Sequence, residues 1–512
     1  MKRIIAILLS LMLTFSLFSG CDSEEAPYVP TGDALDMGGN VTVPPTEPPK
    51  QQDLTMVYTP GGSLNPYTAN DYTNRALFPL MYQGLFSVDR DYNVTPILCQ
   101  SFQVSSDMKT YTFWLAPARF ADGTALTAED VTASLNAAKE GSYYSGRFQH
   151  ITSVVNGGDC VVIQLDTPFE NLPILLDIPI VKASETGAAN PIGTGAYVMD
   201  TSIGGLRLRR QAAWWCSESA NFLVTSAYIP LVEAESPSQV RDQFEFSDVG
   251  LVCADPGSDT YADYRCDYEI WDCENGLFLY LVCNSRSKVF SNDTVRKALT
   301  HAIDRDSIVD NFYRGFARSA SLPASPASPW YDAELAQRYS YDDLAFTTAL
   351  TDANMQGEPV TLLLNSDDSL RLRVGRTIGK MLTEAGLEVT ILELTSAKFV
   401  EHLRWGEYDL YLGQTKLSPN MDLSPFFKNN GSLNYGGLAD GAIYAMTLES
   451  LANSGNYYNL HQLVMEDAQL CPILVRSYCV YATRGLLTNL NPTRDNLFFY
   501  TLGRTMADAI VS

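Results

Sequence analysis

The chain has 512 residues, 46% of them hydrophobic and 11% aromatic, with a formal net charge of −24. That length implies two or three packed units, and that much apolar material excludes a mainly disordered chain. The acidity excludes nucleic acid as a partner, because phosphate binding needs clustered Lys and Arg, and it suits a soluble surface that stays dispersed.

Lys2 and Arg3 precede an apolar run from Ile4 to Phe18, interrupted by Ser10, Thr14 and Ser16 and followed by Ser19, Gly20 and Cys21. A basic end, a short apolar stretch and small residues at the break read as a secretory signal over residues 1–20. The run falls short of the roughly 20 apolar residues that a bilayer span needs. Phe18-Ser19-Gly20-Cys21 resembles a bacterial lipobox, which implies a diacylated Cys21 as the mature N-terminus. Loss of residues 1–20 would remove Lys2 and Arg3 and take the charge from −24 to −26. Residues 21–52 are rich in proline (Pro27, Pro30, Pro44, Pro45, Pro48, Pro49) and poor in periodic apolar positions. They read as a disordered tether beside a membrane.

Globular patterning starts at Leu54. Leu54–Tyr58 and Tyr111–Leu115 have strand composition, and Asp122-Gly123 is a turn signal. Thr127 predicts a helix N-cap with Asp130 as its capping-box partner, and Val131, Leu135 and Ala138 then share one face. A helix starting at Asn292 or Asp293 would bury Val295, Leu299, Ala302 and Ile303. Another covers residues 371–386 and leads into the strand Leu387–Ile391. The irregular alternation of strands and helices predicts mixed α/β with more than one sheet. Nine cysteines follow Cys21 without a CxxC pair. They read as small buried hydrophobes, although the spacing of Cys266 and Cys273 would permit one disulfide.

Catalytic and cofactor motifs are missing. The four histidines (His150, His301, His402, His461) have no metal-ligand spacing, and there is no HExxH, no phosphate-cradling glycine loop ending in Lys, no GxSxG and no calcium loop. Gly193-Thr194-Gly195 lacks the third glycine and the Lys of a nucleotide site and reads as a tight turn. Carboxylates are plentiful, but nothing singles out a pair. The sequence is therefore read as that of a protein that is not an enzyme and carries no cofactor or metal.

Several stretches, in order, resemble the family 5 extracellular solute-binding proteins, which serve peptide, oligopeptide and nickel ABC importers. They are Leu64-Asn65-Pro66 and Tyr82-Gln83-Gly84-Leu85-Phe86, then Thr110–Leu115 with Phe120–Val131, which is close to the family signature. Pro191–Tyr197, Asn284, Phe290–Arg305, Gly406–Leu410 and Asp422–Pro425 continue the series. The resemblance implies a two-lobed periplasmic-binding-protein-like clamp of class II type, with an extra domain on one lobe. Lobe I would comprise residues 53–82, 190–272 and 479–512, the extra domain 83–189, and lobe II 273–478. Hinge closure would bury a small-molecule or peptide ligand. The partners would be an ABC permease and ATPase complex, with the receptor a monomer held to the outer face of the membrane by its lipid. A sensor that keeps the fold without transport is the alternative.

By carry-over, ligand contacts fall to Asn70, Asp71 and Tyr72 on one side and to Gly413, Gln414 and Thr415 on the other. Tyr143, Tyr144 and Arg147 are further cleft candidates. Two departures stand out: Ala196 replaces the family's Pro, and Leu417 stands where the peptide receptors place the Asp that pairs with a peptide amino group. Asp422 or Asp71 is then the candidate substitute for that charge.

Overall fold

In the computed structural model the described residues are 53–511, apart from Asn70, 203–204 and 258–263. The expected signal, Cys21 and the tether lie outside them. Among the described residues no helix is long and apolar enough to cross a membrane.

The apolar runs in the second half of the chain become the centre of a large sheet. Tyr268–Cys283 and Leu470–Thr483 pair antiparallel, and all but the last residue of Leu470–Thr483 is buried. Burial on both faces explains why Phe278–Cys283 and Leu470–Val475 read as nearly continuous hydrophobic sequence rather than alternation. Among the described residues the sheet has eleven strands. Its main path runs Glu388–Leu394, Pro359–Asn365, Leu410–Lys416, Tyr268–Cys283, Leu470–Thr483, Leu251–Ala254, Met56–Tyr58, Tyr228–Glu233, Arg207–Arg210, Tyr197–Asp200, and Ala317–Ser319 pairs with Leu470–Thr483 off that path. The two long strands continue past 272/273 and 478/479, where the sequence suggested borders. Their register shifts between Leu279 and Tyr280, and their pairing is interrupted between Glu274 and Phe278. Gly276 sits in that interruption at φ +76°, and a Cβ there would lie 2.5 Å from Arg494 Cζ. Only glycine combines this backbone conformation with so close a neighbour.

A second, four-stranded antiparallel sheet is ordered Cys99–Val104, Thr110–Leu115, Cys160–Leu165, Ile151–Asn156. The helix Ala128–Glu140 packs on it with Val131, Leu135 and Ala138 fully buried. The capping box forms as expected: Thr127 Oγ1 accepts from Asp130 N–H, and Asp130 Oδ2 accepts from Thr127 N–H at 2.9 Å. Gly123, at φ +86°, turns the chain ahead of it.

Elsewhere the boundaries shift for local reasons. The expected helix 371–386 spans Ser369–Glu384, because the Asp368 side chain accepts from Arg371 N–H and fixes the start. It crosses between the parallel strands Pro359–Asn365 and Glu388–Leu394. The helix expected to run from Asp293 through Ile303 stops at Ala298 and tightens to a 3₁₀ turn over Leu299–Ala302. The buried Arg305 guanidinium takes the carbonyls of Thr300 (3.0 Å) and Ile303 (3.3 Å), which a continuing helix would have used. Val295, Leu299, Ala302 and Ile303 are buried as the pattern required. All nine described cysteines are free thiols, Cys266 and Cys273 included, and six of them are buried.

Candidate functional site

The helix Ala128–Glu140 ends at Gly141, and the chain then turns through Tyr143, Tyr144 and a 3₁₀ turn over Ser145–Phe148. This brings two tyrosines and Arg147 to the end of the Leu410–Lys416 strand. Side chains alternate along a strand, so Gln414 and Lys416 share one face, while Gly413 and Thr415 lie on the other. On the first face Lys416 Nζ donates to Asp495 Oδ1 (2.7 Å) and to Tyr143 Oη (2.5 Å). Tyr143 Oη donates to the same carboxylate at 2.5 Å, and Arg147 Nη2 donates to Asp495 Oδ2 at 2.8 Å. Arg147 also pairs with Asp177 through Nη1, and Arg494 Nε lies 3.4 Å from Asp495 Oδ2.

Arg75, from the short helix Tyr72–Arg75, stacks 3.3 Å from the Tyr143 ring centroid and donates to Tyr144 Oη at 2.9 Å. Further along, Arg476 donates to Gln414 Oε1 (3.2 Å) and to Asp255 Oδ2 (2.5 Å). The site thus joins residues 72–75, 143–147, 255, 414–416, 476 and 494–495. Small cavities of about 50 Å³ beside Asp495 and Asp177 and about 60 Å³ beside Arg494 and Asp177 flank the network. Each has room for a water or two. A roomier concavity of about 1000 Å³, lined in part by Arg286, Trp405, Tyr408 and Tyr435, opens at the opposite end of the Leu410–Lys416 strand.

The network is strongly polarised. Burial would raise the Asp495 carboxyl, but the Lys416, Arg147 and Arg494 charges overcome it and hold Asp495 well below the usual carboxylate range. Burial pushes the Lys416 ammonium down to about 7, with Asp495 opposing the fall and Arg494 adding to it. Burial likewise drives the Tyr143 hydroxyl well up, so it stays a neutral donor.

The expected site residues divide. Tyr143, Tyr144 and Arg147 enter the network directly, and Gln414 meets Arg476. Tyr72 is 39% exposed, beside the Arg476 and Asp255 charges that act on it. Asp71 is the N-cap of the Tyr72–Arg75 helix, its carboxylate accepting from Asn74 N–H at 2.7 Å. Gly413 lies opposite Tyr280 so closely that a Cβ would stand 2.5 Å from that ring, and Thr415 lies opposite Phe278. Asp422 is turned to other work: it accepts from Ser424 N–H at 2.8 Å and lies 3.4 Å from His150 Nε2. Leu417 is buried, and its carbonyl is bound by Arg494. Asn70 lies outside the described residues, as does Cys21.

Lys416, Asp495, Arg75, Asp255 and Arg476 were not singled out in the sequence. Lys416 was within reach, two positions from Gln414 on the same strand face. Asp495 had no local signal, since apart from the adjacent Arg494 its partners come from far away in the chain. Among the described residues no group of three or more His, Cys, Asp or Glu could hold a metal ion.

With a large mixed sheet and helices around it, and with aromatic and charged side chains drawn together from segments hundreds of residues apart, the fold is that of a two-lobed periplasmic binding protein. Solved structures agree on the fold. The ABC transporter substrate-binding protein CtaP of Listeria monocytogenes superposes with a TM-score of 0.70 at 17% identity, covering 87% of this chain and 97% of its own. The oligopeptide-binding protein AppA of Bacillus subtilis, solved with a nonapeptide, gives 0.61 at 20% identity over 88% and 99%. Among curated proteins, the glutathione-binding protein GsiB of Escherichia coli K12 is 24% identical over 353 residues, 66% of this chain and 68% of that protein. The profile of the bacterial extracellular solute-binding proteins, family 5, matches residues 93–436, and the chain belongs to that family. Its role is therefore the capture of a solute outside the cytoplasm.

Proposed function

We propose that the protein is a lipid-anchored monomeric receptor that closes two lobes over a peptide-like or other small polar solute and passes it to the permease. The observation that carries this reading is the network around Asp495. It draws Tyr143 and Arg147 from one part of the chain, Lys416 from a distant strand and Asp495 from near the end of the sequence into one set of hydrogen bonds. On this reading hinge opening separates these charges and closure brings them together again. Similarity to a glutathione-binding protein and to an oligopeptide-binding protein supports a peptide-like solute.

Native mass spectrometry of the purified protein is expected to show a monomer carrying a small solute, and small-angle scattering should show compaction when that solute is returned to stripped protein. A radius of gyration unchanged by the returned solute would remove the closure reading. Anchoring is tested separately. Cys21→Ala should release the protein from membranes, and globomycin should accumulate the precursor. Normal membrane retention of the Ala variant would end the lipid assignment.

A further inference from the structure

The acid in this cleft is already occupied. Asp495 Oδ1 accepts from Lys416 and Tyr143, and Oδ2 accepts from Arg147 with Arg494 close by. Asp177, the neighbouring carboxylate, is taken by Arg147. Glu274, on the far side of Arg494, is bound by Ser325 Oγ, and burial raises its carboxyl. Asp255 is held by Arg476. Donors, by contrast, are left over. Arg476 Nε and Arg494 Nη1 have no acceptor among the described residues, on side chains that are each 9% exposed. A buried donor without an acceptor is costly, and a buried ammonium without a partner more so. In this network each carboxylate is already held by a cation or a hydroxyl, while two guanidinium N–H groups are left to offer an acceptor-rich ligand.

Resting on the solute-receptor reading above, we propose that Lys416 is the cleft's built-in ammonium. It fills the cation position at Asp495 and Tyr143, and so sets the protein's specificity for solutes that carry acceptor groups and no free amine, such as N-blocked or acidic peptides. Lys416 suits this task because it is the one aliphatic ammonium in the network, on a flexible stem, whereas Arg147 and Arg494 are fixed by further partners at Asp177 and at the Leu417 carbonyl.

The assignment is tested on the full mature chain with two readouts at about pH 6, below the lowered Lys416 value of about 7. The first needs no knowledge of the ligand. In Lys416→Ala, 1-propylamine should occupy the vacated position and raise the melting temperature, while wild type and the double variant Lys416→Ala/Asp495→Asn should not respond. The second uses calorimetry with tri-alanine and N-acetyl-tri-alanine. Wild type should bind the acetylated form at least as well, and Lys416→Ala should gain at least tenfold toward the free amine, about 1.4 kcal/mol. Wild-type preference for the free amine by tenfold or more overturns the proposal, as does a Lys416→Ala protein indifferent to propylamine. If propylamine rescue holds and neither peptide binds either protein, Lys416 fills the position without setting specificity, and the proposal is overturned together with the peptide reading; propylamine indifference with peptide binding intact overturns the proposal alone.

Discussion

Two buried polar clusters join the same parts of the chain, the segment around 143–177 and the stretch 416–424, and they do so with different chemistry. One is the Asp495 network, built mainly on permanent charges. The other centres on His150. Its Nδ1 lies 2.8 Å from Asp166 Oδ1, and its Nε2 lies 2.9 Å from Ser424 Oγ and 3.4 Å from Asp422 Oδ2. The connectivity Asp166–His150–Ser424 resembles that of a nucleophilic relay, but Ser424 is fully buried and His150 is 2% exposed, so the arrangement serves packing. Phe169 closes the cluster with an edge-on ring contact at 5.6 Å. Burial alone would lower the imidazole, and the Asp422 and Asp166 carboxylates outweigh it, so His150 is raised above its ordinary value. Lys416 moves the opposite way. Two bridges between the same regions thus respond to pH with opposite signs.

The largest expected effect comes from breaking the first bridge at its centre. Asp495→Asn would leave Arg147, Lys416 and Arg494 facing a neutral amide, with Asp177 the remaining carboxylate in contact. Removing one partner of a buried ion pair costs about 3–5 kcal/mol, so chemical denaturation should show a loss of that size at neutral pH. A loss below about 1 kcal/mol, the value typical of exposed pairs, would show that the network is solvated rather than buried.

The second bridge should weaken only in part of the pH range. His150→Gln keeps the size and a hydrogen-bonding group but cannot carry the proton. A histidine with a raised folded pKa contributes stability fully below its unfolded value of about 6.5 and loses it as pH rises through the folded value. The variant should therefore trail wild type by about 1.5–3 kcal/mol below about pH 6.5, the range for hydrogen bonds to charged groups. The gap should narrow as the pH rises above that. A gap that widens with pH would mean that His150 is held neutral, and the comparison between the two bridges would collapse.

How much of this was legible in the sequence follows from the range of each interaction. The capping box at Thr127 and Asp130 is decided within one turn, and it forms as read. The helix expected to reach Ile303 is decided partly by Arg305, whose guanidinium reaches back to carbonyls that a periodicity count cannot see committed. The site divides in the same way. Tyr143 and Arg147 lie in an aromatic-rich stretch that draws attention locally. Their common partner Asp495 is 348 residues from Arg147, and nothing near it in sequence marks it. Asp422 shows the converse: it looked like a free acid beside the cleft strand, yet Ser424 lies two residues on and His150 comes from 272 residues away to claim it.

The smallest expected effect is also the one that most sharpens the contrast. Lys416→Met removes the ammonium but leaves Asp495 with Tyr143, Arg147 and Arg494, so the loss at neutral pH should be near that of a single hydrogen bond, about 1 kcal/mol. Its pH dependence carries the information. With a folded value of about 7 against about 10.4 unfolded, the unfolded chain binds the extra proton throughout that window. Stability must then rise with pH wherever Lys416 is present. Wild type should gain on Lys416→Met as pH climbs from about 7 toward 10, the reverse of the His150 pair, and the difference between proteins cancels every other titrating group. Paired denaturation curves at three or four pH values give the sign directly. A wild-type advantage that shrinks over this range would mean that Asp495 holds Lys416 above its unfolded value, making the pair an ordinary salt bridge with no proton released on folding.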